Sequence, residues 1–210
     1  MQLSNLQLDA LKEIGTIGAG NAATVLATLL GRRIPMTVPQ ARLLPLSEVV
    51  DALGGAEKEV VGICTAISGD AKATILFLLP LERARHLVRL LLHREEGEGG
   101  VFSEMEQSAL GEVTNILTGA YLQALSEMTH LQFHPTVPAF AHDMAGALVD
   151  SILSEIGQVA DYALLIDTDF VTDDEGEGVR GHFFLVPDPD SLPVILQALG
   201  VKDGCNQKER

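Results

Sequence analysis

Two stretches of this chain repeat one another at a constant separation of 99 residues. The first stretch runs from Ala10 to Pro39 and the second from Ala109 to Pro138. A pattern that occurs twice at one offset predicts two halves with the same local structure, related by an approximate two-fold axis. The residues of the first stretch that recur unchanged 99 positions later are Ala10, Leu11, Glu13, Ile17, Gly20, Leu26, Thr37, Val38 and Pro39.

Each half begins with a segment of helical character, over residues 5–30 and 103–129, and then reaches a Thr-Val-Pro triplet. A residue before proline favours extended backbone, so the helix is expected to give way to a strand there. Apolar runs on either side of turn residues predict one hairpin in each half. These runs are Val60–Ile67 with Ala73–Leu79, and Ala163–Ile166 with His182–Val186. The sequence therefore predicts an α+β fold with a mainly antiparallel β-sheet, two long helices, and strands that pair within each half.

The charged, glycine-rich run from Arg94 to Gly100 contains no periodic apolar residues and marks the seam between the halves. We expect a single domain over residues 1–210, built from halves of about 1–98 and 99–210 that share one core.

A further helix is predicted over His142–Ile156, where apolar residues recur every four positions, among them Met144 and Leu148. The corresponding part of the first half, Leu43–Leu53, is shorter and shows no clear equivalent. This extra helix either contacts a partner protein or simply covers the sheet.

The charge of the chain restricts its partners. It carries 14 Lys and Arg against 29 Asp and Glu, a formal net charge of −15. Such a surface repels polyanions, so neither a nucleic acid nor an acidic membrane is an expected partner. No apolar run approaches the roughly 20 residues that span a bilayer, so we expect no membrane insertion and a cytoplasmic location.

A rotation of about 100° per residue places an acid, a polar residue and a glycine opposite the apolar side of each long helix. Asparagine and glycine are poor helix residues, costing up to about 1 kcal/mol relative to alanine, so their place on an outer face needs a reason. Either they form a binding surface that another chain approaches closely, or they are a solvated acidic face with a packing glycine. The residues are Glu13, Thr16 and Gly20 in the first helix, and Glu112, Asn115 and Gly119 in the second.

The first helix contains LKEIGTIGAGNAAT over residues 11–24, which closely resembles the E-I-G-N-I-G-x-G-N-A-A-T signature of the CheC family. The second contains EVTNILTG over residues 112–119, which resembles the second family motif, E-x-x-N-I-x-x-G. The spacing of the copies and the hairpin that ends at Pro80 are also similar to that family, which is related to CheX and FliY. The resemblance thus covers nearly the whole chain.

The resemblance implies a pseudo-two-fold CheC-like fold and a chemotaxis phosphatase that hydrolyses the aspartyl-phosphate of a CheY-like response regulator. In this family the acid of each motif contacts the regulator's active-site lysine, and the asparagine positions the attacking water. Glu112 and Asn115 then form a complete site, whereas Glu13 is retained and Thr16 replaces the asparagine. Since threonine is short and can donate to the preceding helical turn, we expect the second site to carry most of the activity.

No cofactor is expected on this chain, because Mg²⁺ would arrive with the response regulator. His130 and His134 are four residues apart, as metal ligands often are, but the glutamate of a zinc-protease helix is missing and no metal site is predicted.

CheC proteins commonly bind the deamidase CheD, so the resemblance also implies CheD as a partner. Leu148 and Asp150 in the extra helix are the candidate contact residues, with Gly20 and Gly119 as points where the regulator approaches. The alternative function is a non-catalytic adaptor or a flagellar-switch-type module, which Thr16 favours and the Glu112–Asn115 pair opposes.

Overall fold

A computed structural model describes residues 4–30, 36–37, 41–45, 48–93, 100–156, 162–170 and 179–200. Within them lie six helices and eight strands. The helices are α1 (Asn5–Leu30), α2 (Val49–Ala52), α3 (Leu81–Leu92), α4 (Glu104–Thr129), α5 (Ala145–Ile156) and α6 (Ser191–Ala198). The strands are β1 (Met36–Thr37), β2 (Ala41–Pro45), β3 (Glu59–Gly69), β4 (Ala73–Pro80), β5 (Phe133–Pro135), β6 (Ala139–Met144), β7 (Tyr162–Phe170) and β8 (Val179–Pro187).

The two long helices, α1 and α4, begin with the same pair of capping hydrogen bonds. The backbone N–H of Ser103 donates to the Glu106 carboxylate at 2.8 Å, while the N–H of Glu106 donates to the Ser103 hydroxyl at 3.4 Å. Ser4 and Gln7 make the same pair of bonds, at 2.8 and 3.3 Å. Each reciprocal pair satisfies two backbone donors that a helix start leaves open. The 99-residue repeat thus extends to the residues that begin each helix.

All eight strands described belong to one antiparallel sheet with the order β1-β7-β8-β4-β3-β5, in which β2 also pairs with β7 and β6 with β3. The two predicted hairpins are its middle: β3 pairs with β4, β7 pairs with β8, and β4 joins β8. The predicted α+β class, with a mainly antiparallel sheet and two long helices, is confirmed.

The edge strands contradict the expectation that strands pair only within each half. β1 and β2 follow α1 in the chain but pair with β7 of the second half. β5 and β6 follow α4 but pair with β3 of the first half. Each half thus completes the sheet of the other. The segment 94–99, most of the predicted seam, lies outside the described residues, and the division near residue 98 stays a prediction.

Alternate residues of the central strands face two separate apolar layers. Val61, Ile63 and Phe77 pack with the buried residues of α1, α3, α4 and α6 on one face of the sheet. Val60, Leu78 and Phe184 pack with α2 and α5 on the other. Because successive strand residues point to opposite faces, nearly continuous apolar strands bury both sides of the sheet.

The predicted helix over His142–Ile156 begins later than expected. Strand β6 continues through Met144, because residues up to Asp143 and Met144 still pair with β3, and α5 starts at Ala145. The short helix α2 also stands in the matching place of the first half, directly after β2, so the helix does have an equivalent. Gly54 and Gly55 follow α2 with φ of 92° and 114°, a left-handed conformation that ends the helix.

Candidate functional site

The motif-bearing helices α1 and α4 pack against each other above the sheet. Their contact is close at Gly18, where a Cβ would lie 2.8 Å from the ring of Tyr121 and 3.0 Å from its Cα. Tyr121 in turn stacks on Phe183 of β8, with ring centroids 4.4 Å apart. The outer faces of the two helices are therefore carried on a closely packed support.

The N-terminal end of α4 is anchored by Phe102, which is 3% exposed and immediately precedes the helix cap. Its ring makes edge contacts with Phe140 and His142 of β6, at 5.7 and 5.6 Å between centroids, and the Arg85 guanidinium lies 4.8 Å from its centre. Burial of this ring fixes the start of the helix that carries the second motif.

The structure places all the predicted outer residues of the two helices at the surface. These residues are Glu13, Thr16, Gly20, Glu112, Asn115 and Gly119. Residues of the same helices on the other side, such as Leu11 and Leu110, are 3% and 1% exposed. In a helix an acid and an amide three residues apart lie about 5–6 Å from each other, so Glu112 and Asn115 can contact one neighbouring molecule together.

The amide and the hydroxyl that occupy equivalent positions differ in what they bond. The Thr16 hydroxyl donates to the backbone carbonyl of Lys12 at 3.0 Å. The Asn115 amide makes no hydrogen bond with any residue that the structure describes. The amide is therefore available to an outside water or partner, whereas the proton of the hydroxyl is held by its own helix.

The outer glycines have empty space around them. A Cβ built on Gly20, Gly111 or Gly119 would meet nothing within 4 Å. Packing against the described part of the chain therefore does not require glycine at these positions, in contrast to Gly18, two residues from Gly20. The bare surface is open to a partner.

The two predicted contact residues of α5 differ in their exposure. Asp150 is exposed, but Leu148 is only 4% exposed and packs beneath the helix against β3. A Cβ on Gly62 would lie 2.7 Å from a Leu148 methyl group, which shows how closely the side chain is held. Leu148 as a partner-binding residue is therefore wrong, because its helix buries it. That burial agrees with the other interpretation, in which α5 covers the sheet.

Metal-binding side chains do not gather in the part of the chain that the structure describes, where no group of three or more His, Cys, Asp or Glu could hold an ion. His130 ends α4 in a left-handed conformation with φ of 60°, and His134 lies in β5. Of the described helices, none combines the length and hydropathy of a membrane span.

One difference between the motif helices was not predicted from the sequence. The 99-residue offset pairs Gly111, next to Glu112, with Lys12, next to Glu13. The 99-residue alignment that pairs Glu13 with Glu112 also shows this difference. Lys12 is exposed and Gly111 is half-buried.

These features define a class of protein: two capped helices with exposed acid-bearing motifs lie on an antiparallel sheet whose halves exchange edge strands. Solved structures share this fold. The crystal structure of FliY from Thermotoga maritima superposes with a TM-score of 0.74 at 21% identity, over 95% of this chain and 98% of the chain in that structure. The matching chain in the crystal structure of the CheX-CheY complex from Borrelia burgdorferi superposes with a TM-score of 0.51 at 20% identity, over 81% of this chain and 95% of that chain.

Sequence comparison identifies the family within this class. The model of the CheC-like family matches residues 6–42 and 105–142, the segments that contain the two motifs. A Bacillus subtilis relative, the CheY-P phosphatase CheC, is 39% identical over 196 residues, covering 92% of this chain and 94% of the relative. This chain belongs to the CheC family.

Proposed function

We propose that this protein is a chemotaxis phosphatase that hydrolyses the aspartyl-phosphate of a CheY-like response regulator. The observation that carries the proposal is the exposed Glu112–Asn115 pair, whose amide has no bond within the described chain. Support comes from the 39% identical relative, which is a CheY-P phosphatase.

The chemistry requires little of this chain beyond geometry. Hydrolysis of an acyl phosphate needs a water molecule in line with the leaving carboxylate, while the charge of the phosphoryl group is neutralised by the regulator's own Mg²⁺ and lysine. An amide is uncharged, so Asn115 does not act as a base; its carbonyl oxygen accepts a proton of the water and fixes the direction of attack. A hundredfold acceleration needs only about 2.7 kcal/mol, which is within reach of one well-directed hydrogen bond together with docking.

Docking is assigned to Glu112, whose carboxylate meets the regulator's active-site lysine. The exposed position of the acid on a rigid helix suits this role, because it can enter a neighbouring pocket without rearrangement of the chain. Gly119 lies one helical turn beyond Asn115 and leaves room for the backbone of the regulator. Glu13 and Gly20 offer the same docking features on α1, where Thr16 replaces the amide.

The experiment is to mix the protein with a phosphorylated CheY-like regulator and Mg²⁺ and to measure the release of inorganic phosphate. We expect acceleration that falls by about a hundredfold in Asn115→Ala, equal to about 2.7 kcal/mol. Gln197→Ala removes an exposed amide from α6, outside the two motifs, and serves as the matched control with unchanged release.

Two results would contradict the proposal. Full activity in Asn115→Ala would remove the assigned water-positioning group. Tight binding of the regulator without acceleration by the unmodified protein would identify a non-catalytic adaptor instead.

We also propose that the protein works in the cytoplasm. A second proposal is that the outer side of α5 binds CheD. Asp150 is the remaining candidate contact, since it is exposed and Leu148 is not. Asp150→Ala should weaken a CheD complex measurably in a pull-down or titration, while Asp188→Ala, an acid that begins the turn before α6, should not. An undisturbed complex in Asp150→Ala would remove α5 from the interface.

A further inference from the structure

We infer that Gly111 is a positioning residue for the second site: it leaves bare the helical turn over which Asn115 lies, and Lys12 covers the equivalent turn of the first site. This inference rests on the proposed function and adds to it a second cause of the difference between the two sites. It assigns to the regulator a surface that approaches closely on the N-terminal side of the asparagine.

The geometry of an α-helix puts Gly111 in the relevant place. Side chains in a helix lean toward its N-terminus, so the surface that a residue covers lies over the preceding turn. Gly111 is four residues before Asn115, which places it directly below the amide on the same face. Glycine provides no side chain there, and the space around its hypothetical Cβ is empty to 4 Å.

Among the residues that the structure describes, no contact accounts for a glycine at this position. It is a poor residue for a helix interior, and here it relieves no contact, unlike Gly18 against Tyr121. A requirement from outside the chain, the close approach of another protein, accounts for it. The adjacent Glu112 and the unbonded Asn115 mark the face that the other protein contacts.

The first helix differs at this same turn. Lys12 precedes Thr16 by four residues, is exposed, and offers its backbone carbonyl to the Thr16 hydroxyl at 3.0 Å. Its long side chain leaves the helix where Gly111 has none. Its ammonium group also stands next to Glu13 in sequence, so it repels the cation that the acid is proposed to meet.

The two differences therefore affect separate kinetic parameters. The group that holds the water, Asn115 or Thr16, acts in the transition state and sets kcat. The residue one turn earlier, Gly111 or Lys12, controls how closely the regulator docks and sets KM. A residue with only a structural role would alter the folding stability and leave this division unchanged.

The test is a series of variants at Gly111, assayed with the phosphorylated regulator. Gly111→Ala should raise the melting temperature by about 2–4 °C and change KM by less than about twofold. Gly111→Met, with a long uncharged side chain, should raise KM by about tenfold at similar kcat. Gly111→Lys should raise KM further, and added salt should reduce that additional part. Gln197→Lys adds the same charge on α6 and should leave KM unchanged.

The reverse change is tested at the first site with the second one disabled by Asn115→Ala. In that background Thr16→Asn should restore some phosphate release, and adding Lys12→Gly should lower KM by about tenfold. An effect on KM without one on kcat identifies docking rather than water positioning.

Each outcome decides a different point. If Asn115→Ala loses activity while Gly111→Met and Gly111→Lys keep the original KM, the inference about Gly111 is overturned and the proposed function stands. If Asn115→Ala keeps its activity, both fail, because no water-positioning group remains for the bare turn to serve.

Discussion

Helices α1 and α4 are the equivalent helices of the two halves. They differ mainly in the side chains of their outer faces and of their inner, buried faces. Both are 26 residues long and both begin with a reciprocal serine cap. On the outer face, however, Asn115 of α4 is unbonded within the described chain, whereas Thr16 of α1 donates to its own backbone. The two helices thus share the same start, while only α4 has an unbonded amide on its outer face that could hold water.

The inner faces of the two helices differ in the size of their side chains, and these differences are complementary. The 99-residue offset pairs Gly18 with Leu117 and Ala22 with Tyr121, so α1 has a small residue where α4 has a large one. All four are buried, and the ring of Tyr121 lies over Gly18. Departures from symmetry in the core therefore compensate each other, because the two helices must fill one shared space.

The first and largest expected difference concerns the outer faces. Asn115→Ala should reduce phosphate release by about a hundredfold, which corresponds to about 2.7 kcal/mol of transition-state stabilisation. Thr16→Ala should change release by less than about twofold, because that hydroxyl already donates to the Lys12 carbonyl. The measurement is single-turnover release of phosphate from the regulator with each variant in excess.

The reverse substitution sharpens the same comparison. Thr16→Asn in the otherwise unmodified chain should raise the rate, provided that Glu13 still docks a regulator. Equal losses of phosphate release in Asn115→Ala and Thr16→Ala would show that the two helices contribute equally to the activity. The hydrogen bond of the Thr16 hydroxyl to its own helix would then not reduce its contribution.

Much of this architecture could be predicted because it depends on local sequence. The helices predicted over residues 5–30 and 103–129 are observed at Asn5–Leu30 and Glu104–Thr129. The exposure of Glu112 and Asn115 followed from the 3.6-residue period, since it requires only that the apolar side of the helix face the sheet. Both predictions require only that the helix has an apolar side and that this side is buried against the layer beneath it.

Pairing across the halves could not be predicted in this way. Alternation along a strand indicates which side chains share a face but not which strand is the neighbour, so the exchange of β1, β2, β5 and β6 was missed. Strand β6 was assigned in part to a helix because its residues are almost all exposed and show no clear alternation. The sequence does not predict the burial of Leu148, because the apolar layer under α5 comes from distant strands.

The second and smaller expected difference concerns the inner faces, and it compares two glycines of α1. Gly18→Ala should lower the free energy of unfolding by about 1–2 kcal/mol, because the added methyl group would lie 2.8 Å from the Tyr121 ring and 3.0 Å from its backbone. Gly20→Ala, where nothing lies within 4 Å, should raise it by about 0.5–1 kcal/mol through helix propensity alone. Urea unfolding of the two variants measures both.

The opposite signs make this pair informative. The gain in helix propensity is common to both substitutions, so their difference isolates the contact between α1 and α4. A Gly18→Ala protein as stable as the Gly20→Ala protein would mean that the helices can separate by a few tenths of an ångström without loss. The small residues of α1 would then not be required by the large ones of α4, and the compensation between the two inner faces would lack an energetic basis.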